Sequence, residues 1–306
     1  MIISYSNQKI KELYPMFFNL TLENKTGEQI NMTTTANQYM TSKIEGLNPP
    51  AGTISTSGYA GMSGSYLKNA FIEKRNVVIS FAMRGIGVEK RRHQLYRVVK
   101  PSRYIKIYYR TANINVYAEG YVESCELDSF EQPISGQISI ICPDIYWYST
   151  ESLYAYYSSI TGAFTFPFSI DENGVPLGNY QKSDQIIIQN DGDETGFTIV
   201  LETQNSEDIP EVAANTPTIY RADSGEYLQI VGDVLKGDII TITTKNGNKT
   251  VTLTRGGESF NIINRLASGS TWFQLNNGEN TFTVQCQKGL KNIKVKMIHT
   301  NAYLGV

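Results

Sequence analysis

Histidine is almost missing from this chain, with two residues, His93 and His299, in 306. Neither has Cys, Asp or Glu at metal-ligand spacing, so both are expected in surface or capping roles. Cysteine is also scarce. Cys125, Cys142 and Cys286 form no C-x-x-C pair, and an odd count without a secretory leader reads as reduced, mostly core thiols. A Cys125–Cys142 bridge between neighbouring strands is the one geometric alternative. The phosphate-cradling patterns G-x-x-x-x-G-K and G-x-G-x-x-G do not occur. Gly61-Met62-Ser63-Gly64 falls in a loop and is not a nucleophile elbow. These absences predict a protein that is not an enzyme and carries no metal or cofactor. No apolar run approaches the ~18 residues of a membrane-crossing helix. No apolar stretch follows Lys9 and Lys11 within Met1–Tyr14, so no secretory signal is expected.

Tyrosine and glycine are abundant instead, with 20 and 25 copies, a bias toward strands and turns. At ~150 residues per domain, the length predicts two domains or one large β domain. Pro143-Asp144-Ile145-Tyr146-Trp147-Tyr148 marks the expected boundary, dividing the chain into 1–148 and 149–306, with the aromatic run packed across the junction. The first half reads as strands around one helix. Strands are expected at Met16–Leu22, Gln29–Met32, Lys74–Arg84, Tyr104–Arg110, Asn115–Leu127 and Gln137–Cys142, and a helix over Val88–Val99, stopped by Pro101. Ala51–Asn69, small, polar and rich in Ser and Gly, reads as an exposed loop or arm. The second half reads as nine short alternating strands: Gln185–Gln189, Gly196–Glu202, Thr218–Tyr220, Tyr227–Val231, Asp238–Thr243, Asn248–Thr254, Thr271–Leu275, Asn280–Gln285 and Lys291–His299. Hairpin signals stand at Asp191-Gly192, Asn246-Gly247 and Asn277-Gly278. The expected fold is mainly β (α+β), ending in a β-sandwich.

Charge is uneven. Residues 1–150 carry 16 Lys/Arg against 12 Asp/Glu, and residues 151–306 carry 11 against 17, a net of +4 beside −6. The basic excess lies in Arg84–Arg110, where nine Lys/Arg face Glu89 alone. Lys90, Arg91, Arg92, Arg97, Lys100 and Arg103 are its candidate functional residues. At a pI near 5.8, a protein–protein interface ranks first and a solvated face second. A nucleic-acid site, with Tyr104, Tyr108 and Tyr109 as stacking rings beside the cations, ranks third. Asp191, Asp193 and Glu194 could hold calcium. No EF-hand spacing follows, a hairpin turn is the favoured reading, and the calcium question stays open. Asp171-Glu172-Asn173-Gly174 reads as a solvated turn rather than half of a glycosidase carboxylate pair. Trp272, in a strand pattern, reads as core rather than as a sugar-stacking platform.

Several segments, in order, resemble a known family. They are Ile44-Glu45-Gly46-Leu47-Asn48-Pro49-Pro50, the Gly/Ser loop, Lys74-Arg75-Asn76-Val77-Val78-Ile79, Arg92-His93-Gln94-Leu95-Tyr96-Arg97, Lys106-Ile107-Tyr108-Tyr109, Tyr121-Val122-Glu123 and Ile138-Ser139-Ile140-Ile141-Cys142-Pro143-Asp144. Asp193-Glu194-Thr195-Gly196-Phe197, Gly225-Glu226-Tyr227-Leu228, Gly237-Asp238-Ile239-Ile240-Thr241-Ile242, Leu275-Asn276-Asn277-Gly278-Glu279-Asn280 and Tyr303-Leu304-Gly305-Val306 continue the pattern. In this order the chain resembles the distal tail proteins of long-tailed, siphovirus-type bacteriophages. The resemblance implies a split β-barrel-like module with one helix, followed by a galectin-like β-sandwich. It implies a homohexameric ring in the virion, assembled in the host cytoplasm and placed at the distal end of the tail. The ring would join the tail tube protein to the tail-tip hub or tail-associated lysin protein, and carry receptor-binding proteins. No spare ~100-residue segment is present for an inserted carbohydrate-binding module. The alternative functions are a carbohydrate-binding receptor-recognition module and a nucleic-acid-binding protein that uses the basic helix.

Overall fold

The computed structural model describes residues 18–33, 39–83, 87–128, 133–157, 159–161, 179–181, 185–205 and 207–306. The expected Asp171–Gly174 turn, the start of the Met16–Leu22 strand and the Met1–Tyr14 segment lie outside these residues. The chain forms two units, one of residues 1–150 with 302–306 and one of residues 151–301.

Period-two alternation builds the first unit. Its strands are β1 (Asn19–Asn24), β2 (Gln29–Thr33), β3 (Met40–Glu45), β4 (Thr53–Gly58), β5 (Ser65–Phe71), β6 (Arg75–Met83), β7 (Tyr104–Arg110), β8 (Asn115–Asp128), β9 (Ile134–Cys142) and β10 (Trp147–Ser149). Helix α1 (Val88–Val98) lies between β6 and β7. Leu20 and Leu22, Val77 and Ile79, Ile105 and Ile107, and Ile138 and Ile140 bury their alternate side chains in one core. Leu95 and Val98 of α1 join that core. Antiparallel pairings run β2–β1–β7–β8–β9–β6–β3. A single parallel pair, Thr33 with Met40, joins β2 to β3 and closes seven strands into a barrel split at that seam. β8, at 14 residues, is long enough to pair with β7 through Tyr121 and with β9 beyond it. Most strand edges of these seven strands are thereby paired within the chain.

Ala51–Asn69 is not an irregular loop. β4 and β5 pair with each other alone, as a hairpin exposed on both faces. The serines and threonines read as loop residues alternate there as ordinary strand positions, and Gly61 and Gly64 supply the turn.

The Arg75 guanidinium is fully buried. It donates hydrogen bonds to the Ile145 carbonyl at 2.9 and 2.6 Å, to Asn48 O at 2.9 Å, to Leu304 O at 2.5 Å and to Gly46 O. It also lies 5.7 Å from the Trp147 ring centroid. Burial lowers the Arg75 pKa, and the neighbouring Cys142 and Asp144 oppose that shift. Gly46 has a φ of +87°, and a Cβ there would strike the Asn76 carbonyl oxygen. Only glycine fits this approach. Ala302–Tyr303 pairs with β10, and Val306 N donates to Leu47 O at 3.0 Å. The last five residues, expected in the second domain, therefore belong to the first unit. Trp147, expected at the junction, is buried in the first unit's own core. The three cysteines are free. Register sets Cys125 opposite Ile138, four residues from Cys142, so the alternative bridge does not form. Burial pushes the Cys142 thiol up to about 12 and Cys125 to about 11.

The second unit holds a six-stranded and a four-stranded sheet. In the first, Leu153–Tyr157, Ile293–His299, Thr198–Thr203, Ile239–Thr243, Thr250–Arg255 and Glu258–Asn261 pair in that order. In the second the order is Ile186–Asn190, Gly278–Gln285, Thr218–Arg221, Tyr227–Gln229. Ile199, Ile240 and Val295 of one sheet share a buried cluster with Ile188, Ile219 and Phe282 of the other, which makes a β-sandwich. Asn246-Gly247 turns a hairpin as expected. Asp191-Gly192 does not, because the strands before and after it belong to opposite sheets. Thr271–Leu275 is not a strand; it is tied by one bridge, Leu275 to Thr195. Asn277-Gly278 therefore joins no hairpin. Trp272 is half-buried against the core. His299, expected at the surface, is buried because it falls on an inward position of its strand; its Nε2 lies 3.1 Å from Gln189 O.

Replacing Arg75 with Met leaves several buried carbonyls without donors, each worth about 1–3 kcal/mol. Arg75→Met is expected to destabilise the first unit by at least about 3 kcal/mol. Trp147 fluorescence during denaturant unfolding, in a Trp272→Phe background, checks this. Burial lowers the His299 pKa below its ordinary 6.5, against a smaller rise from its bond to Gln189 and from Asp191. The folded state therefore favours neutral imidazole. Its stability contribution is complete above about pH 6.5 and is lost as the pH falls through the lower native value. Between pH 7.5 and 5.5, His299→Gln should lose less of its urea midpoint than the wild-type chain.

Candidate functional site: a basic groove at the end of the helix

The six sequence-chosen cations do not form one cluster. Lys90, Arg91 and Arg92 lie in the first turns of α1, where Lys90 is exposed and the two arginines are half-buried. Tyr39 caps that region by donating its hydroxyl to the Arg91 carbonyl at 2.8 Å. Arg97, Lys100 and Arg103 sit at the other end, where α1 runs into β7, and line a groove of about 1060 Å³.

Local backbone bonds fix that end. Val99 N donates to Leu95 O at 2.7 Å, Arg103 N to Lys100 O at 3.1 Å, and Ser102 N to Val122 O at 2.7 Å. Ser102 takes a φ of +63°, which turns the chain sharply after Pro101. The β1–β2 turn forms the facing wall. There the Asn24 side chain accepts from the Thr26 and Glu28 amides, each at 3.0 Å. This wall brings in Lys25, Glu23 and Glu28, which sequence spacing does not connect to residues 97–103. The only local signal was the Asn24–Gly27 turn itself. Arg97 Nε meets Glu28 Oε1 at 2.9 Å across the groove. Among the described residues, Lys25, Lys100 and Arg103 have no recorded carboxylate partner.

The groove continues onto an aromatic sheet face carrying Tyr104 and Tyr121, whose centroids are 6.3 Å apart. Lys106 lies 3.8 Å from the Tyr117 centroid and 5.4 Å from that of Tyr108, with Glu119 Oε1 at 3.3 Å. Burial would lower its pKa, but the Glu119 hydrogen bond and the neighbouring tyrosines leave it raised. Burial, followed by Glu119, raises Tyr104, whose phenol stays protonated. Tyr109 turns inward and packs against Trp147 at 6.4 Å. The three expected stacking rings are thus split between two faces, which weakens the nucleic-acid reading. Among the described residues, no group of three His, Cys, Asp or Glu is placed to hold a metal. The groove gathers cations, with Arg97 and Lys106 already paired with Glu28 and Glu119.

Residues 201–303 match the family described as siphovirus-type tail component, C-terminal domain. That family is named for the SPP1 Dit protein, and its match covers about a third of this chain. The fold of the whole chain agrees with this. It is similar to the crystal structure of the SPP1 Dit protein, described as a paradigm of the hub adsorption apparatus in phages infecting Gram-positive hosts. The TM-score is 0.61 at 11% identity, over 92% of this chain and 98% of that one. A chain of the phage p2 baseplate in its activated conformation with Ca aligns over the same shares at 13% identity, with a TM-score of 0.49. Among curated proteins, none matches. The chain is mainly β, and residues 201–303, which carry the family match, lie mostly in the sandwich of the second unit.

Lys106→Met keeps the apolar stem and removes the cation between the rings. A loss of about 1 kcal/mol is expected, read as a lower denaturant midpoint, whereas Arg97→Ala, at an exposed ion pair, should cost less than that.

Proposed function

We propose that this chain is a non-enzymatic adaptor at the distal end of a phage tail. Six copies close into a ring that joins the tail tube protein to the tail-tip hub or tail-associated lysin protein, and through it to receptor-binding proteins. The observation that carries this reading is the fold shared with the SPP1 Dit protein over 92% of the chain. The β4–β5 hairpin supports it. Two strands alone are marginally stable in water, yet this pair exposes Ile54, Met62, Tyr66 and Leu67. A neighbouring subunit that covers them removes an apolar patch unusual for a monomer. In the ring, the barrel unit would build the ring itself and the sandwich would lie on its outside, with one end turned toward the next copy. Lys90, Arg91, Arg92, Arg97, Lys100 and Arg103 would lie at contacts between copies or against the tube. Assembly takes place in the host cytoplasm, and the site of action is the virion tail.

A second reading, sugar recognition by the sandwich, rests on Tyr154 and Tyr156. Both rings are more than half exposed on one face of an edge strand, with Lys296 4.4 and 5.9 Å from their centroids. Such rings suit stacking on a pyranose face. This reading ranks below the ring because, among the described residues, no pocket of polar groups surrounds the aromatic pair.

Native mass spectrometry of the full chain at micromolar concentration should find six copies. A chain that remains a single copy would overturn the ring, and glycan-array binding by that monomer would favour the second reading.

A further inference from the structure

The Asp191–Glu194 segment, which is no hairpin, is a rigid acidic tip. Asn190 is fully buried at its base. Its Nδ2 donates to Asp193 O at 2.9 Å and to Asn276 O at 3.2 Å, while Gly192 N donates to its Oδ1 at 3.1 Å. Asn277 Nδ2 donates to Gly192 O at 2.8 Å and ties the tip to the neighbouring loop. Strand register places Glu279 opposite Gln189 at the same end of the sandwich. Asp191, Glu194 and Glu279 are exposed, and no ion pair is recorded for them among the described residues. Held this way, the backbone of the tip needs little ordering to meet a partner, which lowers the entropic cost of association.

We infer that the basic groove of one copy receives the acidic tip of the next, with Lys25, Lys100 and Arg103 facing Asp191, Glu194 and Glu279. The inference rests on the ring reading and names the contact that gives the ring its direction. A ring closes through two different patches of the same chain. This chain supplies two patches of opposite sign, within halves of net charge +4 and −6. Opposed patches steer the encounter and penalise head-to-head pairing, where cations would meet cations.

Charge reversal on the full chain tests this, with assembly followed by sedimentation velocity at physiological salt. Lys100→Glu with Arg103→Glu should raise the half-assembly concentration about tenfold or more. Asp191→Lys with Glu194→Lys should do the same, and a chain carrying all four changes should return to within about threefold of wild type. All three variants should keep the wild-type circular dichroism melt, because every changed side chain is exposed. Normal assembly by either double variant overturns the contact but leaves the ring standing. So does a four-fold variant no better than its parents. A wild-type chain that never assembles overturns the ring and the contact together. Salt-sensitive binding of a 20-base-pair DNA duplex that Lys100→Glu with Arg103→Glu abolishes, with assembly unchanged, assigns the groove to nucleic acid instead.

Discussion

The first unit depends on one buried cation whose hydrogen-bond partners are carbonyl oxygens. Arg75 cannot shed its proton within the folded protein, so its burial is sustained only if its donors are met. The Gly46–Asn48 turn, the Ile145 loop and the Leu304 backbone meet them. None of these segments is a regular strand that could hold itself. The guanidinium's fixed fork therefore dictates their relative positions, which a flexible ammonium could not do. The Trp147 ring packs beside it, and the chain's last residues return to complete the shell. The first unit thus joins segments far apart in the sequence, β10 with Ala302–Tyr303 among them.

Closure of the barrel has a second consequence. Once β8 pairs with both β7 and β9, the strands near α1 have few open edges left for partners. In the proposed ring, the β4–β5 hairpin and the groove beside α1 would be left for contacts between copies. The hairpin exposes Ile54, Met62, Tyr66 and Leu67 among serines and threonines, and the groove is lined by charges. Burial would hold the first contact, and charge would orient the second. Exposed ion pairs contribute little strength individually. A cluster of them is better suited to choosing which way subunits face than to holding them together.

Much of the fold was legible in the residues. Alternation marked β6, most of β7 and the first part of β8 closely, because each buries one face there at period two. The helix was legible because Leu95 and Val98 recur at helical spacing and Pro101 stops it. The site was legible only in part. The basic run was visible, but its division into two groups depends on where α1 ends. The facing wall of Lys25 and Glu28 comes from a turn some 70 residues earlier, and short-range spacing carries no signal of that kind. Arg75 likewise looked like an ordinary charged residue at the start of a strand.

The sequence by itself determined the local elements and the class of protein: a β-rich chain, poor in catalytic side chains, with opposite charge on its two halves. These follow from composition and periodicity, which act over a few residues. Tertiary structure alone decided that Asp191-Gly192 crosses between sheets, that His299 and Trp147 are buried, and that Tyr303 pairs with β10. Each depends on which strands become neighbours. That choice is made by burial of whole faces and by long-range partners such as the Arg75 carbonyls, and a local turn signal cannot distinguish a hairpin from a crossing loop.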